Sequence, residues 1–458
     1  MSKIKKAKGP KMPDRSDNRS LIIGGKAISE DMLTKGQKEC LDLFESWYFH
    51  NNPSKQILRL GGAAGTGKGV FLRFLIEKYG FGRAECYPMA YTGQAVNVLR
   101  GYGIDAYTIH SSIMYPREEP IRDPVTGEVI MHRGVPLVRV RFVSRKDLPR
   151  ACKLVIVDEA SFLPQKLENT LRRYGVKILE VGDPIQLPPV EGDQVFHMDV
   201  LDYFMDEIMR QNADSEIIDL ATRIRNWEDI DLSKYQKEVR FLYGKERIED
   251  TFNRYLPYFR GAGTILCGTN MQRQIINDLY RDEIIHTHSP LPVEGERMIC
   301  RRNSWEHMID QYVLVNGMQG VCTSTVGRTE RDKDGITYTM DFMPDVTAKS
   351  NKGFSGLLCD YEYLQKPFGI DDELAYKRPG IKMEFAHAIT VHVSQGMTTD
   401  NILFLDAHGR DIDYTRRLRY TAVTRARNRV TYITAPNIFD PTWTDLRMLS
   451  QWAPKTRL

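Results

Sequence analysis

Hydrophobic positions along the chain alternate between short apolar runs and longer amphipathic stretches. After residue 33, Leu41, Phe44, Trp47 and Tyr48 fall on one face of a helix for which Thr34 is placed as N-cap. The run Ile57, Leu58, Leu60 then reads as a strand. A glycine-rich stretch follows, and Val70, Phe71, Phe74 and Leu75 recur at helical spacing, with Gly80 placed to close the helix. Strand, turn and helix recur from Cys86, and the apolar runs 154–157 and 177–181 read as further strands. Beyond residue 200 the rhythm restarts, with strands at 264–267, 402–406 and 430–434 and a helix carrying Arg273 and Asn277. This alternation predicts an α/β protein.

Two stretches break the rhythm. In 116–146, Val138, Val140 and Phe142 alternate with Arg139 and Arg141, and Thr126-Gly127 and Arg133-Gly134 are turn signals. The pattern predicts a β-hairpin with one apolar and one basic face, suited either to wedging a duplex junction or to a solvated sheet edge. Residues 312–378 are rich in strand and turn signals, including Asp334-Gly335 ahead of a strand at 336–340, and predict a small inserted barrel. Residues 1–20 carry Lys, Pro, Ser and Asp without periodicity and read as a disordered basic arm or a solvated tail.

Composition narrows the class. A chain of 458 residues supports two or three domains, and 41% hydrophobic with 27% charged residues is ordinary for a soluble globular protein. No apolar run reaches transmembrane length and no leader-like segment opens the chain, so no membrane partner is expected. The net charge of +4 permits nucleic-acid binding without demonstrating it. Seven scattered cysteines without a CxxC pair argue against a zinc site or a disulfide framework and fit a reducing cytoplasm.

The candidate chemistry centres on Gly62, Ala63, Ala64, Gly65, Thr66, Gly67, Lys68, Gly69 and Val70 between a strand and a helix. This is a Walker A arrangement: backbone N–H groups approach phosphate oxygens, Lys68 reaches the β/γ-phosphates, and the helix N-terminus adds its positive dipole end. ATP with Mg²⁺ is the expected cofactor pair. A glycine-rich turn is the bland alternative, and a dinucleotide fingerprint lacks its third small residue. One position departs from the pattern, because the hydroxyl that normally ligates Mg²⁺ after the lysine is replaced by Gly69. Thr66, on the wrong side of the lysine, is a poor substitute, so either water fills the position or the site is impaired.

Downstream, Asp158 and Glu159 end a buried-strand pattern. In a phosphate-loop NTPase Asp158 orients Mg²⁺ through its water shell and Glu159 activates the attacking water, while the bland alternative is a helix N-terminus. A rigid loop, 182–190, can hold Gln186 near a γ-phosphate. Gln37 stands before the first helix, where its amide could bond adenine edges or simply face solvent. Thr108 and His110 follow a strand and suit either nucleic-acid backbone contacts or capping.

The blocks VDEAS, GDPIQLPPV, VHVSQGMT and YTAVTRAR, in that order, resemble superfamily 1 DNA helicases of the RecD-like group that includes Dda-type phage enzymes. The likeness covers roughly residues 30–436. It implies two RecA-like parallel-sheet domains that clamp ATP, at 21–198 and 199–458, with 5′-to-3′ movement along single-stranded DNA. The hairpin at 116–146 would be the separation pin and the insert at 312–378 an SH3-like barrel. By the same resemblance Gln37 reads adenine, Lys68 binds phosphate, Asp158 and Glu159 handle metal and water, and Gln186 senses the γ-phosphate. Arg210 and Arg425 act as finger residues, and Gly396 admits the nucleotide. Thr92, Thr108, His110, Asn270, His392 and Thr398 match the DNA-backbone contacts.

Besides Gly69, Gln94 departs from the family by standing where Lys or Arg is usual. Single-stranded DNA and fork junctions are the implied partners, with replication or recombination proteins as candidates, in a monomer working in a bacterial host's cytoplasm. Two rival readings stay open: a weakly hydrolysing nucleic-acid clamp, motivated by Gly69, and an RNA helicase, since backbone readers need not test the 2′-OH.

Overall fold

The apolar runs become the centres of two parallel sheets in the computed structural model. It describes residues 21–23, 26–50, 55–120, 122–123, 126–129, 131–132, 135–136, 138–189, 192–207, 215–310, 312–324, 329–331, 336–365, 380–407 and 411–434. The basic arm, Arg210, the Arg133-Gly134 and Asp334-Gly335 turns lie outside the described residues. The chain forms two compact units, each built on its own parallel sheet.

The first unit opens with a short antiparallel pair, β1 (Leu21–Ile23) and β2 (Lys26–Ile28), and helix α1 (Lys35–Phe49). Thr34 caps α1 in a capping box, its hydroxyl accepting from Gln37 N and Gln37 Oε1 accepting from Thr34 N. There follow β3 (Ile57–Gly62), α2 (Lys68–Lys78), β4 (Cys86–Ala90), α3 (Gly93–Gly101), β5 (Tyr107–Thr108) and α4 (Ile109–Ile113). Helix α2 ends as the sequence predicts. Gly80, at φ 60°, sends its N–H to Glu77 O, and Phe81 N bonds Ile76 O, which satisfies the last carbonyls.

The chain then leaves the sheet as an antiparallel ribbon. Strand β6 (Met114–Pro120) pairs with β9 (Val138–Ser144), and β7 (Met131–His132) with β8 (Val135–Pro136). At Thr126-Gly127 the Asp123 carboxylate accepts from Thr126 N, and Gly127 adopts φ 71°. The sheet resumes with β10 (Leu154–Asp158), α5 (Gln165–Arg172), β11 (Lys177–Gly182) and β12 (Tyr203–Met205). Its order is β12-β3-β11-β10-β4-β5, parallel throughout. Helices cover both faces of such a sheet, so β10 is buried at all five positions.

One charge sits inside that sheet. Arg59 on β3 lies in register with Glu180 on β11, and its Nε donates to Glu180 Oε2 at 2.8 Å. Its Nη2 donates to Glu168 Oε2 on α5 at 2.9 Å. Glu180 is fully buried, and burial pushes its carboxyl up to about 7 despite Arg59.

The second unit contains α6 (Glu216–Asn226), β13 (Val239–Tyr243), α7 (Ile248–Arg254), α8 (Leu256–Gly261), β14 (Thr264–Cys267) and α9 (Asn270–Tyr280). An antiparallel excursion follows: β15 (Arg297–Cys300), β16 (Ser304–Ile309), β17 (Tyr312–Leu314), β18 (Gln319–Cys322), β19 (Thr329–Arg331), β20 (Ile336–Pro344) and β21 (Phe354–Asp360). Then come α10 (Tyr361–Gln365), β22 (Met383–Phe385), β23 (Ala388–Thr390), β24 (Thr399–Leu405), α11 (Ile412–Val423) and β25 (Ala426–Thr434).

The parallel sheet has the order β13-β25-β24-β14-β23. The antiparallel one runs β19-β20-β18-β15-β22 with β21 on β20, around a core of Met298, Tyr338, Phe342 and Leu357. It begins at Arg297, ahead of the 312 expected from turn signals, because β15 and β22 carry the insert's first and last pairings.

Two ion pairs, one buried and one partly buried, tie α9 and the π-helical turn after it (Arg281–Ile285) to that sheet. Arg273 Nη1 donates to Glu384 Oε2 at 2.8 Å, and Tyr363 Oη donates to Glu384 Oε1 at 2.9 Å. Arg281 Nε donates to Glu296 Oε1 at 2.7 Å, and His387 stacks on Tyr280 with ring centroids 4.3 Å apart. All seven cysteines are buried and free. Among the described residues no helix is long and apolar enough to cross a membrane.

Candidate functional site

The C-terminal edge of the first parallel sheet gathers the phosphate-loop residues. Strand β3 delivers the chain into the loop, and α2 starts at Lys68 behind Gly67, whose left-handed φ of 77° turns the chain into the helix. First-turn N–H groups of a helix have no intrahelical acceptor, and they carry the positive end of the helix dipole. Lys68 Nζ donates to Gly62 O at 2.9 Å and Ala63 O at 3.2 Å, so its ammonium is folded onto the loop. Thr66 Oγ1 also turns inward, donating to Ala63 O at 2.9 Å.

Beside the loop, Asp158 closes β10. Burial, with the Glu159 carboxylate next to it, pushes Asp158 up to about 7 against the pull of the Lys68 ammonium. Glu159 stands at φ 52° and ψ 43°, a left-handed conformation that costs a side-chain residue about 1–2 kcal/mol. Its Oε2 is buried and has no hydrogen-bond partner among the described residues. Strain and an unmet acceptor at one carboxylate are features of a binding or reacting group.

The adjacent strand β11 ends at Gly182, where a β-carbon would fall 2.9 Å from Ala160 N. That glycine lets the 183–189 loop pass directly beside the acids. Within the loop, Asp183 accepts from Ile185 N at 3.1 Å, and Gln186, 2% exposed, donates Nε2 to Asp183 Oδ2 at 3.4 Å.

The donor set fits a Mg²⁺–nucleotide. Among the described residues no cluster of three His, Cys, Asp or Glu forms a metal cage. Mg²⁺ in such sites takes one or two carboxylates, with phosphates and waters as the other ligands. Asp158 would supply the carboxylate, and Lys68 and the α2 N-terminus the phosphate-binding charge.

Several predicted site residues have other partners here. Gln37 is fully buried: besides its role in the α1 cap, its Nε2 donates to Thr66 O at 3.1 Å, so its amide braces the phosphate loop instead of standing open to a base. Thr108 caps α4, its Oγ1 accepting from Ser111 N at 3.2 Å. Thr92 lies on the turn after β4, and His110 faces Tyr91 edge-on with its pKa lowered by burial.

In the second unit Arg425 is 5% exposed. Its Nε donates to Thr421 O and its Nη1 to Met397 O, both at 3.0 Å, and its Nη2 to Thr424 Oγ1 at 3.1 Å. A buried guanidinium must find acceptors, and these hold Arg425 against the segment that follows Gly396, φ 77°. His392 bonds Tyr414 Oη at 2.9 Å, and burial lowers its pKa. Asn270, at the start of α9, and Thr398 are exposed. Sequence reasoning missed Tyr414, 22 residues from His392, and the ring of Tyr102 against Gly69. The only sequence signal for the latter is the glycine itself.

Comparison with known proteins adds the following. The chain matches the AAA domain over residues 49–246 and the UvrD-like helicase C-terminal domain over residues 385–433. It is 24% identical over 471 residues to the ATP-dependent DNA helicase dda of Enterobacteria phage T4, covering 88% of this chain and 99% of that one. It is 25% identical over 318 residues to the conjugal transfer protein TraA of Rhizobium radiobacter, covering 65% of this chain and 26% of that one. A solved structure of two coordinating Pif1 helicases at forked double-stranded DNA superposes with a TM-score of 0.51 at 18% identity, covering 92% of this chain and 97% of that one. That likeness is one of fold.

Proposed function

We infer that this chain, which belongs to the superfamily 1 helicases of the Dda and Pif1 type, is an ATP-dependent DNA helicase. The observation that carries the reading is a phosphate loop with Lys68 opening α2 and a buried Asp158 closing β10 at the same edge of a parallel sheet, in a chain that spans 99% of a phage DNA helicase. Movement is 5′ to 3′, in keeping with those families.

When bound, Mg²⁺–ATP supplies the transferable phosphoryl group and the charge that its oxygens develop. Lys68 would exchange its two loop carbonyls for phosphate oxygens, the first-turn N–H groups of α2 would bind phosphate, and Asp158 would serve the metal. Glu159, with its free buried oxygen, would accept the proton of the attacking water. Gln186 would answer to the γ-phosphate from the 183–189 loop. Arg425 and Arg210 would contribute positive charge. Thr92, Asn270, His392 and Thr398 contact the DNA backbone, which carries no sequence information. Single-stranded DNA and forks are the substrates, and the cytoplasm of a bacterial host is the setting.

The test is steady-state ATP hydrolysis across a Mg²⁺ series, with and without single-stranded DNA, for the native protein and Glu159→Gln. Native turnover rises with DNA, and the variant loses hydrolysis by about 10²-fold or more while still binding ATP and DNA. Gly69 favours one second reading, a clamp that binds DNA and hydrolyses ATP poorly. Intact DNA binding with no hydrolysis at any Mg²⁺ concentration would select it.

A further inference from the structure

We propose that Tyr102 is a positioning residue of the nucleotide site, forming with Gly69 a single packing unit in which its ring takes the space of the missing hydroxyl side chain. The proposal rests on the nucleotide reading above and adds a residue to it. A β-carbon built on Gly69 would lie 2.7 Å from Tyr102 Cε2, 3.0 Å from Cδ2 and 3.3 Å from Cζ. The first of these is shorter than real β-carbon contacts, so any side chain at 69 must displace the ring.

The backbone of Tyr102 is fixed by its turn. Tyr102 follows α3, with Gly103 N bonding Arg100 O at 2.8 Å, Ile104 N bonding Leu99 O at 3.1 Å, and Gly103 at φ 78°. One turn beyond Gly69 on α2, Arg73 donates from Nη1 to the Gly103 carbonyl. Helix α2 therefore meets the 102–103 turn at two successive turns, the ring lying over Gly69 and the guanidinium of Arg73 bonding Gly103. Only rotation of the Tyr102 side chain, 38% exposed, can vacate the space.

Glycine at 69 thus has a steric cause, despite its cost in helix propensity. Asp158 would remain the carboxylate offered to a metal, with no hydroxyl beside it at 69. Restoring the hydroxyl alone is then insufficient, because Gly69→Thr enters occupied space.

The experiment is a double-mutant cycle on the full chain: native, Gly69→Thr, Tyr102→Ala and the double variant. Two readouts are taken, the melting temperature without nucleotide and the Mg²⁺ concentration giving half-maximal binding of a fluorescent non-hydrolysable ATP analogue. Gly69→Thr in the native background should lower the melting temperature by on the order of 5 °C, as overpacking does. In the Tyr102→Ala background the same change should cost nothing measurable and lower the Mg²⁺ requirement by about tenfold. Additive effects in both readouts, with threonine acting alike whether or not the ring is present, would overturn the pairing. Loss of all analogue binding in the native protein would instead strike the nucleotide reading, and the melting cycle would still decide whether 69 and 102 are coupled.

Discussion

Burial and the neighbouring Glu159 carboxylate hold the Asp158 carboxyl above the ordinary carboxylate range, which favours its neutral form as pH falls. Metal ligation needs the carboxylate. Mg²⁺-dependent binding of an ATP analogue should therefore strengthen as pH rises from 6 to 8, and Asp158→Asn should flatten that profile; a native profile already flat over this range would remove Asp158 as the metal carboxylate. At this scale the sequence was legible where chemistry dictates spacing. The placement of Lys68 at the start of α2 and of Asp158 at the end of β10 was readable because a glycine-rich loop and a following acidic strand end leave a clear pattern. The partners of Gln37, Thr108 and Arg425 were not, because a buried amide, hydroxyl or guanidinium bonds whatever carbonyl the fold brings to it, and that carbonyl leaves no trace in residue type.

The elements themselves followed the hydrophobic pattern closely, since burial on both faces demands continuous apolar runs such as 154–157. What the pattern hid was the charge inside them. Arg59 interrupts the apolar run of β3 and Glu180 that of β11, and only the parallel register reveals that they face each other. Because burial raises Glu180 from an ordinary value of 4.5 to about 7, the folded chain holds its proton over a window where the unfolded chain has released it. By linkage, stability contributed by that proton is lost as pH rises from about 4.5 through about 7. Relative to Glu180→Gln, the native protein should lose about 3 kcal/mol across this window, at roughly 1.36 kcal/mol per pKa unit. Denaturant melts of both proteins at pH 4.5 and 8 check this, and a pH-independent difference would show that Glu180 titrates normally.

For the whole molecule, the ribbon 114–144 is the part whose removal should separate two activities. Excising residues 126–129, whose turn is closed locally by Asp123, leaves both parallel sheets untouched. DNA-stimulated ATP hydrolysis should persist within about twofold while unwinding of a forked duplex falls by about tenfold or more, a loss of at least about 1.4 kcal/mol in the strand-separating step. Unwinding that survives the excision would dismiss the ribbon as a wedge. The insert in the second unit was visible as a break in rhythm, but its true limits were not, because β15 and β22 resemble any other short strand until they pair.

The ion pairs Arg273–Glu384 and Arg281–Glu296 give that insert a mechanical character. A domain hung on two flexible strands would swing and dissipate a pull applied to it. Fastened through α9 by charges that cannot part without being stranded in a dry interior, where breaking one pair costs about 3–5 kcal/mol, the antiparallel sheet behaves as a stiff lever on the second parallel sheet. A load on either would be felt by the other with little slack.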